Sequence, residues 1–135
     1  MKYLTLFTLL LISQLDVFGQ NNEQISTIDY VQILNKNEEE AIYYYKNNWE
    51  KLRVKAVEAK FIKSYQLLRL SESDTSDYHI ILLTTYANQE QFDKREENFG
   101  RLIEARGDRK LLNEKQPDEF RKIVKTNESV GHLED

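Results

Sequence analysis

The segment that decides the fold is Tyr78-His79-Ile80-Ile81-Leu82-Leu83-Thr84-Thr85-Tyr86. Four consecutive aliphatic residues are followed by two threonines and a tyrosine, and no proline or glycine interrupts them. β-Branched and aromatic residues favour strands, and a strand that is apolar on both faces is typical of the interior of a covered sheet. We therefore expect residues 78–86 to form a central strand with packing partners on both sides.

A helix and two further strands are predicted before this segment. Residues 27–34 and 64–70 have the composition of strands, and the polar residues 71–77 are typical of a hairpin connection to residues 78–86. Between the two strands, apolar residues recur at spacings of three and four, which predicts one buried stripe along a helix. The stripe consists of Ala41, Tyr45, Trp49, Leu52, Ala56 and Ala59. Asn37, followed by Glu40, predicts a capping box at the start of this helix.

The residues after the central strand predict a second helix and a shorter final element. Asn88 is a candidate N-cap with Gln91 at the capping-box position, and Gly107 is a suitable C-terminal stop. The apolar face of this helix would consist of Phe92, Phe99, Leu102 and Ile103. Farther on, Pro117 is followed by acidic residues, which is typical of a helix start. We expect a short element there that can include an edge strand, and then a C-terminal tail at residues 126–135.

The order strand, helix, strand, strand, helix and short final element predicts an α+β fold. It is the order of a ferredoxin-like βαββαβ sandwich, in which two helices cover one face of an antiparallel sheet. A right-handed crossover leaves a gap between the first two strands, and the strand of residues 78–86 fills it. The opposite face of that strand is apolar too. A second copy of the chain, packed sheet against sheet, would cover it, and the alternative is that the C-terminal segment folds over it.

The first residues have the pattern of a secretory signal peptide. Lys2 precedes a mostly apolar run that ends at Ile12, and Val17-Phe18-Gly19 provides the small or modest side chains of a cleavage site. The run is shorter than the roughly 20 residues that span a bilayer, and no cysteine follows it that a lipid could modify. We expect cleavage after Gly19 and a secreted or periplasmic protein; a retained N-terminal anchor is the alternative. The chain would then consist of a signal peptide at residues 1–19, a flexible arm at 20–26, a ferredoxin-like domain at 27–125 and the tail.

The composition excludes several classes of function. The chain has 135 residues, no cysteine, two histidines and a formal net charge of −4. Thiolate metal sites, thiol nucleophiles and disulfides are therefore excluded, and we expect no metal and no cofactor. The chain has no basic segment, so it lacks the electrostatic signature of nucleic-acid binding or of attachment to an anionic membrane. No segment after the leader approaches spanning length, so we expect no membrane insertion once the leader is removed.

Two stretches of the chain resemble the dimeric α/β-barrel superfamily of ferredoxin-like domains. They are Ala56-Val57-Glu58-Ala59-Lys60-Phe61-Ile62-Lys63-Ser64-Tyr65, which looks like the passage from helix to strand, and residues 78–86, which look like the central strand. The superfamily includes small monooxygenases, haem-degrading proteins and uncharacterised exported bacterial proteins. The resemblance covers residues 28–103 and implies a homodimer with a pocket between each sheet and its helices. Related domains often have glycine at the position of Lys60.

Four functions fit such a domain. The first is an exported, non-catalytic binding or interaction module, in which Tyr30, Trp49 and Tyr65 line a pocket for a small apolar ligand. The alternative is a cofactor-independent monooxygenase or small isomerase acting on an apolar or aromatic molecule, with His79 as the candidate base. The third is haem binding with His79 as axial ligand, and the fourth is a purely structural role. We favour the binding module.

Overall fold

Four strands form one antiparallel sheet in the computed structural model, which describes residues 23–133. The strands are β1 (Ile25–Ile33), β2 (Ser64–Arg69), β3 (Ile80–Tyr86) and β4 (Arg121–Gly131), in the order β2-β3-β1-β4. The fold is α+β, and this strand order is that of a ferredoxin-like sandwich. Strand β3 lies between β2 and β1, which confirms the central position predicted for residues 78–86. The predicted signal peptide at residues 1–19 and the start of the predicted arm lie outside the described residues.

The helices pack on one face of this sheet. The connection from β1 to β2 consists of α1 (Glu38–Tyr44), a π-helical turn (Tyr45–Trp49) and α2 (Glu50–Glu58). Two helices follow β3, namely α3 (Gln89–Asp93) and α4 (Arg95–Arg106), and the one-turn helix α5 (Pro117–Phe120) precedes β4. The predicted apolar stripe is confirmed at four buried residues, which are Ala41, Tyr45, Leu52 and Ala56. Ala59, by contrast, is exposed.

The two faces of the sheet differ in what covers them. Register pairs Val31 with Ile80, and both belong to a buried cluster with Ala41, Tyr45 and Phe120. Burying such side chains stabilises the fold by about 1.5–3 kcal/mol for each large aliphatic residue. Four residues of the two central strands are half-buried on the other face, and they are Ile28, Tyr30, Ile81 and Leu83. We call this second surface the open face.

The helix starts show why a capping pattern in sequence is not sufficient. Asn88 caps α3 as predicted, because its Oδ1 accepts a hydrogen bond of 2.9 Å from the Gln91 amide. The capping box predicted at Asn37 is wrong, since its side chain makes no cap hydrogen bond to α1. Instead, Asn37 donates to the Glu119 carbonyl at 2.9 Å and accepts from Lys115 Nζ at 2.6 Å. Its side chain therefore fastens the C-terminal segment to the start of α1.

Helix α2 ends with a left-handed backbone at Lys60. The Phe61 amide donates to the Ala56 carbonyl at 2.8 Å and the Lys60 amide donates to the Val57 carbonyl at 3.0 Å. These two bonds form a Schellman motif, in which the residue after the C-cap has a left-handed backbone. Lys60 has a φ of 59°, a conformation that costs a non-glycine residue free energy.

The C-terminal segment is more regular than the sequence predicted. Strand β4 pairs with β1 and extends to Gly131, so most of the predicted tail at residues 126–135 belongs to the sheet. The pairing is irregular at two places, between Ser26 and Ile28 and between Tyr30 and Val31. Because residues 121–131 form an edge strand, they do not fold over the open face, and that alternative is wrong for this part of the segment. Next to the strand, His132 Nε2 and Ser26 Oγ form a hydrogen bond of 2.7 Å on the open face.

Candidate functional site

A cavity of about 500 Å³ lies between the covered face of the sheet and the helices. Its apolar wall is formed by Tyr44, Tyr45, Trp49, Leu52, Leu82, Ile103 and Ile123. Its polar lining residues are Asp29, Asn48, Arg53, Arg106, Arg109 and Arg121. A concave, largely apolar site of this size with a few polar groups is typical of small-molecule binding.

The π-helical turn supplies three of the lining residues. Tyr45, Asn48 and Trp49 all belong to this turn. A π-helical turn shifts the side chains relative to an α-helix, and such turns are frequent at functional sites. Asn48 is 1% exposed, and its side chain bonds the Tyr44 carbonyl at 2.9 Å and both the amide and the carbonyl of Lys110 at 2.8 Å. These bonds fix the loop after α4 against the turn, so the cavity has a rigid wall on this side.

Arg53 is held inside the cavity by aromatic rings. Its guanidinium carbon lies 4.3 Å from the ring centre of Trp49 and 4.3 Å from that of Phe99. Its Nε donates to Thr84 Oγ1 at 3.3 Å. Burial lowers the pKa of Arg53 to about 10, which leaves the guanidinium charged at neutral pH. The two rings therefore orient a buried positive charge towards the cavity.

Two lining residues carry buried polar atoms that have no hydrogen-bond partner among the described residues. These atoms are the hydroxyl of Tyr45 and Nε of Arg121. Burial raises the pKa of Tyr45, and the nearby Arg121 guanidinium opposes that rise. The Tyr44 ring lies next to both residues. Its centre is 5.4 Å from the centre of the Tyr45 ring and 5.5 Å from the Arg121 guanidinium carbon. A buried group without a partner lowers stability, so an occupant of the cavity could gain by supplying one.

The charge balance of the cavity differs from that of the whole chain. Four arginines line it, and within the described residues Asp29 is the only lining carboxylate. Asp29 accepts a hydrogen bond of 2.6 Å from Thr126. None of the four arginines forms an ion pair within residues 23–133, whereas Arg69, Lys94, Arg101 and Lys115 do. The acidic chain thus contains a locally cationic cavity.

The structure separates the three aromatic residues that the sequence analysis grouped. Trp49 lines the cavity, and its ring centre lies 5.9 Å from that of Tyr65 in an edge-on contact. Tyr30 lies on the open face, where it stacks edge-on against Tyr78 at 4.8 Å. Lys125 Nζ lies 5.5 Å from the centre of the Tyr30 ring. Trp49 and Tyr65 are therefore brought together, and Tyr30 is not.

His79 lies away from the cavity, immediately before the first residue of β3. Its Nδ1 accepts a hydrogen bond of 2.9 Å from the Ile33 amide, and its own amide donates to the Val31 carbonyl at 2.7 Å. It lines a separate groove with the loop that follows β2, and no residue of that groove lines the cavity. These contacts give His79 a role in joining β3 to the end of β1.

The sequence analysis missed the arginines that line the cavity. Arg53 belongs to α2, Arg106 to the end of α4, Arg109 to the next loop and Arg121 to the start of β4. Residues so far apart in sequence form no local motif, and only the tertiary fold brings them together. The spacing of Trp49 and Arg53 was the one available signal, since residues four apart are neighbours on a helix.

The described chain has other concavities, and one of about 350 Å³ is lined by Ile42, Tyr45, Leu67, Leu68 and Ile80 together with Lys46, Glu50 and Arg69. A concavity of about 440 Å³ beside α3 is lined mostly by polar side chains, two of which, Lys94 and Arg101, already form ion pairs with glutamates. Within residues 23–133, no group of three or more histidine or acidic side chains could hold a metal ion. In the same range, no helix combines the length and the apolar character needed to cross a membrane.

Comparison with known proteins does not assign a family. No protein-family model matches the chain, and no curated protein matches it. The chain is similar to the crystal structure of HapK from Hahella chejuensis, with 12% sequence identity and a TM-score of 0.49. The match covers 82% of this chain and 94% of that one. A similarity of this degree concerns the path of the backbone and carries no information about ligand or reaction.

Proposed function

We propose that this protein is a small-molecule binding domain whose ligand occupies the cavity between the sheet and the helices. The observation that carries the proposal is the cavity itself, about 500 Å³ in volume, with an aromatic and aliphatic wall. Its lining residues also include two with unpartnered buried polar atoms, Tyr45 and Arg121. A fully packed core leaves neither space nor unpaired donors, so the arrangement favours binding over a purely structural role.

The binding module is preferred to the enzyme because of where the candidate base lies. A general base must be within hydrogen-bond reach of the proton that it removes. His79 does not line the cavity, and its Nδ1 already accepts from the Ile33 amide. The same placement leaves no support for His79 as a haem ligand in this cavity.

Trp49 provides a direct assay because it is the single tryptophan of the chain and lines the cavity. The protein is titrated with a neutral aromatic probe, 1-aminoanthracene, while Trp49 emission is recorded. We expect saturable quenching with one site per chain. Absence of a saturable change up to the solubility limit of the probe would overturn the proposal.

Two matched variants on β4 test whether the probe binds in the cavity. Ile123 lines the cavity and Val124 does not, although both are partly exposed, at 43% and 38%. Ile123→Phe reduces the space in the cavity, so it should weaken quenching, whereas Val124→Phe should leave it unchanged. Equal affinities for the two variants would place the probe elsewhere and contradict the proposal.

We also propose that the protein is a homodimer formed through the open face. Within residues 23–133, no helix covers the apolar residues Ile28, Ile81 and Leu83 on that face, and Leu68 beside them is 43% exposed. Apolar patches of this kind commonly mark interfaces. Light scattering should give the mass of two chains, Leu68→Lys should lower it, and Val57→Lys on α2 should not. A single-chain mass for the unmodified protein would refute the dimer.

Export is proposed from the leader pattern at residues 1–19. The experiment is N-terminal sequencing of the protein recovered from a bacterial host that expresses the full chain. We expect a first residue of Gln20 and recovery outside the cytoplasm. Recovery of an intact Met1 terminus in the membrane fraction would support the retained anchor instead.

A further inference from the structure

We propose that the ligand of the cavity is an organic anion, an aromatic or aliphatic carboxylate whose charged end is bound by Arg53 and Arg121. The inference rests on the proposed function of the same cavity and adds the chemical class of its occupant. Guanidinium groups bind carboxylates through charge-assisted hydrogen bonds that are stronger than neutral ones. The aromatic and aliphatic wall would contact the apolar body of the same molecule.

The cavity lining carries more positive than negative side chains. Four arginines and one carboxylate line the cavity, and none of those arginines forms an ion pair within residues 23–133. A partly buried cation without an ion-pair partner costs free energy, and Arg53 is such a cation, since it packs against the rings of Trp49 and Phe99 and burial lowers its pKa to about 10. A bound anion would remove that penalty, whereas a neutral ligand would leave it in place.

The two buried polar atoms without a partner among the described residues can both donate a hydrogen bond. Arg121 Nε is a donor, and the Tyr45 hydroxyl can donate as well. The Tyr44 ring lies against both side chains, with its centre 5.4 Å from the Tyr45 ring centre and 5.5 Å from the Arg121 guanidinium carbon. Two neighbouring donors that lack acceptors indicate a ligand with acceptor oxygens, and a carboxylate has two oxygens and no donor. An ammonium ligand would leave both donors unsatisfied and would meet like charges.

The guanidinium of Arg53 is held in one orientation by two aromatic rings. Arg53 is clamped between Trp49 and Phe99, each at 4.3 Å, so its guanidinium cannot swing out into solvent without losing both contacts. A preorganised donor binds an anion with less loss of side-chain entropy than a mobile lysine would. Trp49 therefore both lines the cavity and holds the Arg53 guanidinium that binds the ligand.

The test compares two ligands of the same shape, naphthalene-2-carboxylate and naphthalene-2-carboxamide, by isothermal titration calorimetry on the same protein preparation. We expect the carboxylate to bind about tenfold more tightly or better, because a hydrogen bond to a charged group is stronger than one to a neutral group. Equal affinities would overturn the inference and leave the proposed function intact. Failure of both ligands to bind, together with failure of 1-aminoanthracene, would overturn the inference and the proposed function alike.

Variants of the arginines test whether the cavity arginines bind the carboxylate group. Arg53→Gln and Arg121→Gln should each weaken carboxylate binding about tenfold and weaken carboxamide binding less, because a neutral amide oxygen accepts a weaker hydrogen bond from a guanidinium than a carboxylate does. Arg95→Gln is the matched control, since Arg95 also stacks on an aromatic ring, Phe92 at 4.0 Å, but does not line the cavity. An equal effect of Arg95→Gln on carboxylate binding would contradict the assignment.

A second variant keeps the test valid if Arg53→Gln unfolds the protein. Arg109 lines the cavity and is exposed, so Arg109→Gln should fold normally. It should lower the ratio of carboxylate to carboxamide affinity, and added salt should lower the same ratio in the unmodified protein. An affinity ratio that neither the variant nor salt changes would mean that the cavity arginines do not select the anion.

Discussion

Replacing Tyr45 by phenylalanine should stabilise the ligand-free protein. Tyr45 is 3% exposed, and its hydroxyl has no hydrogen-bond partner in the described chain. The substitution removes only that oxygen and keeps the ring that packs with Val31, Ile80 and Phe120. Because an unsatisfied buried polar group costs about 1–3 kcal/mol, we expect the free energy of unfolding to rise by about 1 kcal/mol.

Urea denaturation followed by circular dichroism measures this change, and thermal denaturation should show a midpoint higher by about 4 °C. Tyr86→Phe is the matched control with the opposite sign. Tyr86 is also 3% exposed, but its hydroxyl bonds Thr27, so its removal should destabilise the protein by about 1 kcal/mol. If Tyr45→Phe destabilised the ligand-free protein as Tyr86→Phe does, the Tyr45 hydroxyl would have a partner and the argument for a vacant polar position would be wrong.

Three further predictions concern the framework of the cavity. Lys60→Gly should raise the free energy of unfolding by about 1 kcal/mol because it relieves the left-handed backbone at φ 59°; a destabilised variant in urea denaturation would argue against the Schellman motif. Asn48→Ala should cost about 2–3 kcal/mol by breaking its bonds to Lys110 and Tyr44, whereas Asn47→Ala, which loses one bond to the Tyr43 carbonyl, should cost about 1 kcal/mol; equal costs would contradict the anchoring role of Asn48. The hydrogen bond from Lys115 lowers the pKa of Glu40 below its ordinary value of 4.5, so this group contributes stability above pH 4.5 that is lost as the pH falls through its folded-state pKa. The free energy of unfolding should therefore change less with pH below pH 4.5 in Glu40→Gln than in the unmodified protein. An equal pH dependence in the two proteins would refute the contribution of Glu40.

The sheet could be predicted from sequence because its decisive signal is local. Residues 80–83 are apolar without interruption, which is typical of a strand in the interior of a sheet. The order of elements then restricts the topology to few choices, and the observed order β2-β3-β1-β4 is one of them. Strand β4 was underestimated because its residues 124–131 are mostly polar, and its length depends on pairing with β1.

The cavity could be predicted only in part. Trp49 was identified because it belongs to the apolar stripe, but the π-helical turn around it cannot be recognised from residue spacing. The arginines come from α2, α4, a loop and β4, and their proximity depends on the packing of all four. Asn37 shows the same limit on a smaller scale, since Lys115 and the Glu119 carbonyl, distant in sequence, take the place of the predicted capping partner.

A crystal structure of the protein grown with saturating naphthalene-2-carboxylate is the most direct test of the central claim. We predict one molecule per chain between β3 and the π-helical turn, with its ring against Trp49 and its carboxylate within hydrogen-bond distance of Arg53 and Arg121. The Tyr45 hydroxyl and Arg121 Nε, which lack hydrogen-bond partners within residues 23–133, should each gain one. A cavity that stays empty at saturation, or a carboxylate that points away from both arginines, would contradict the account.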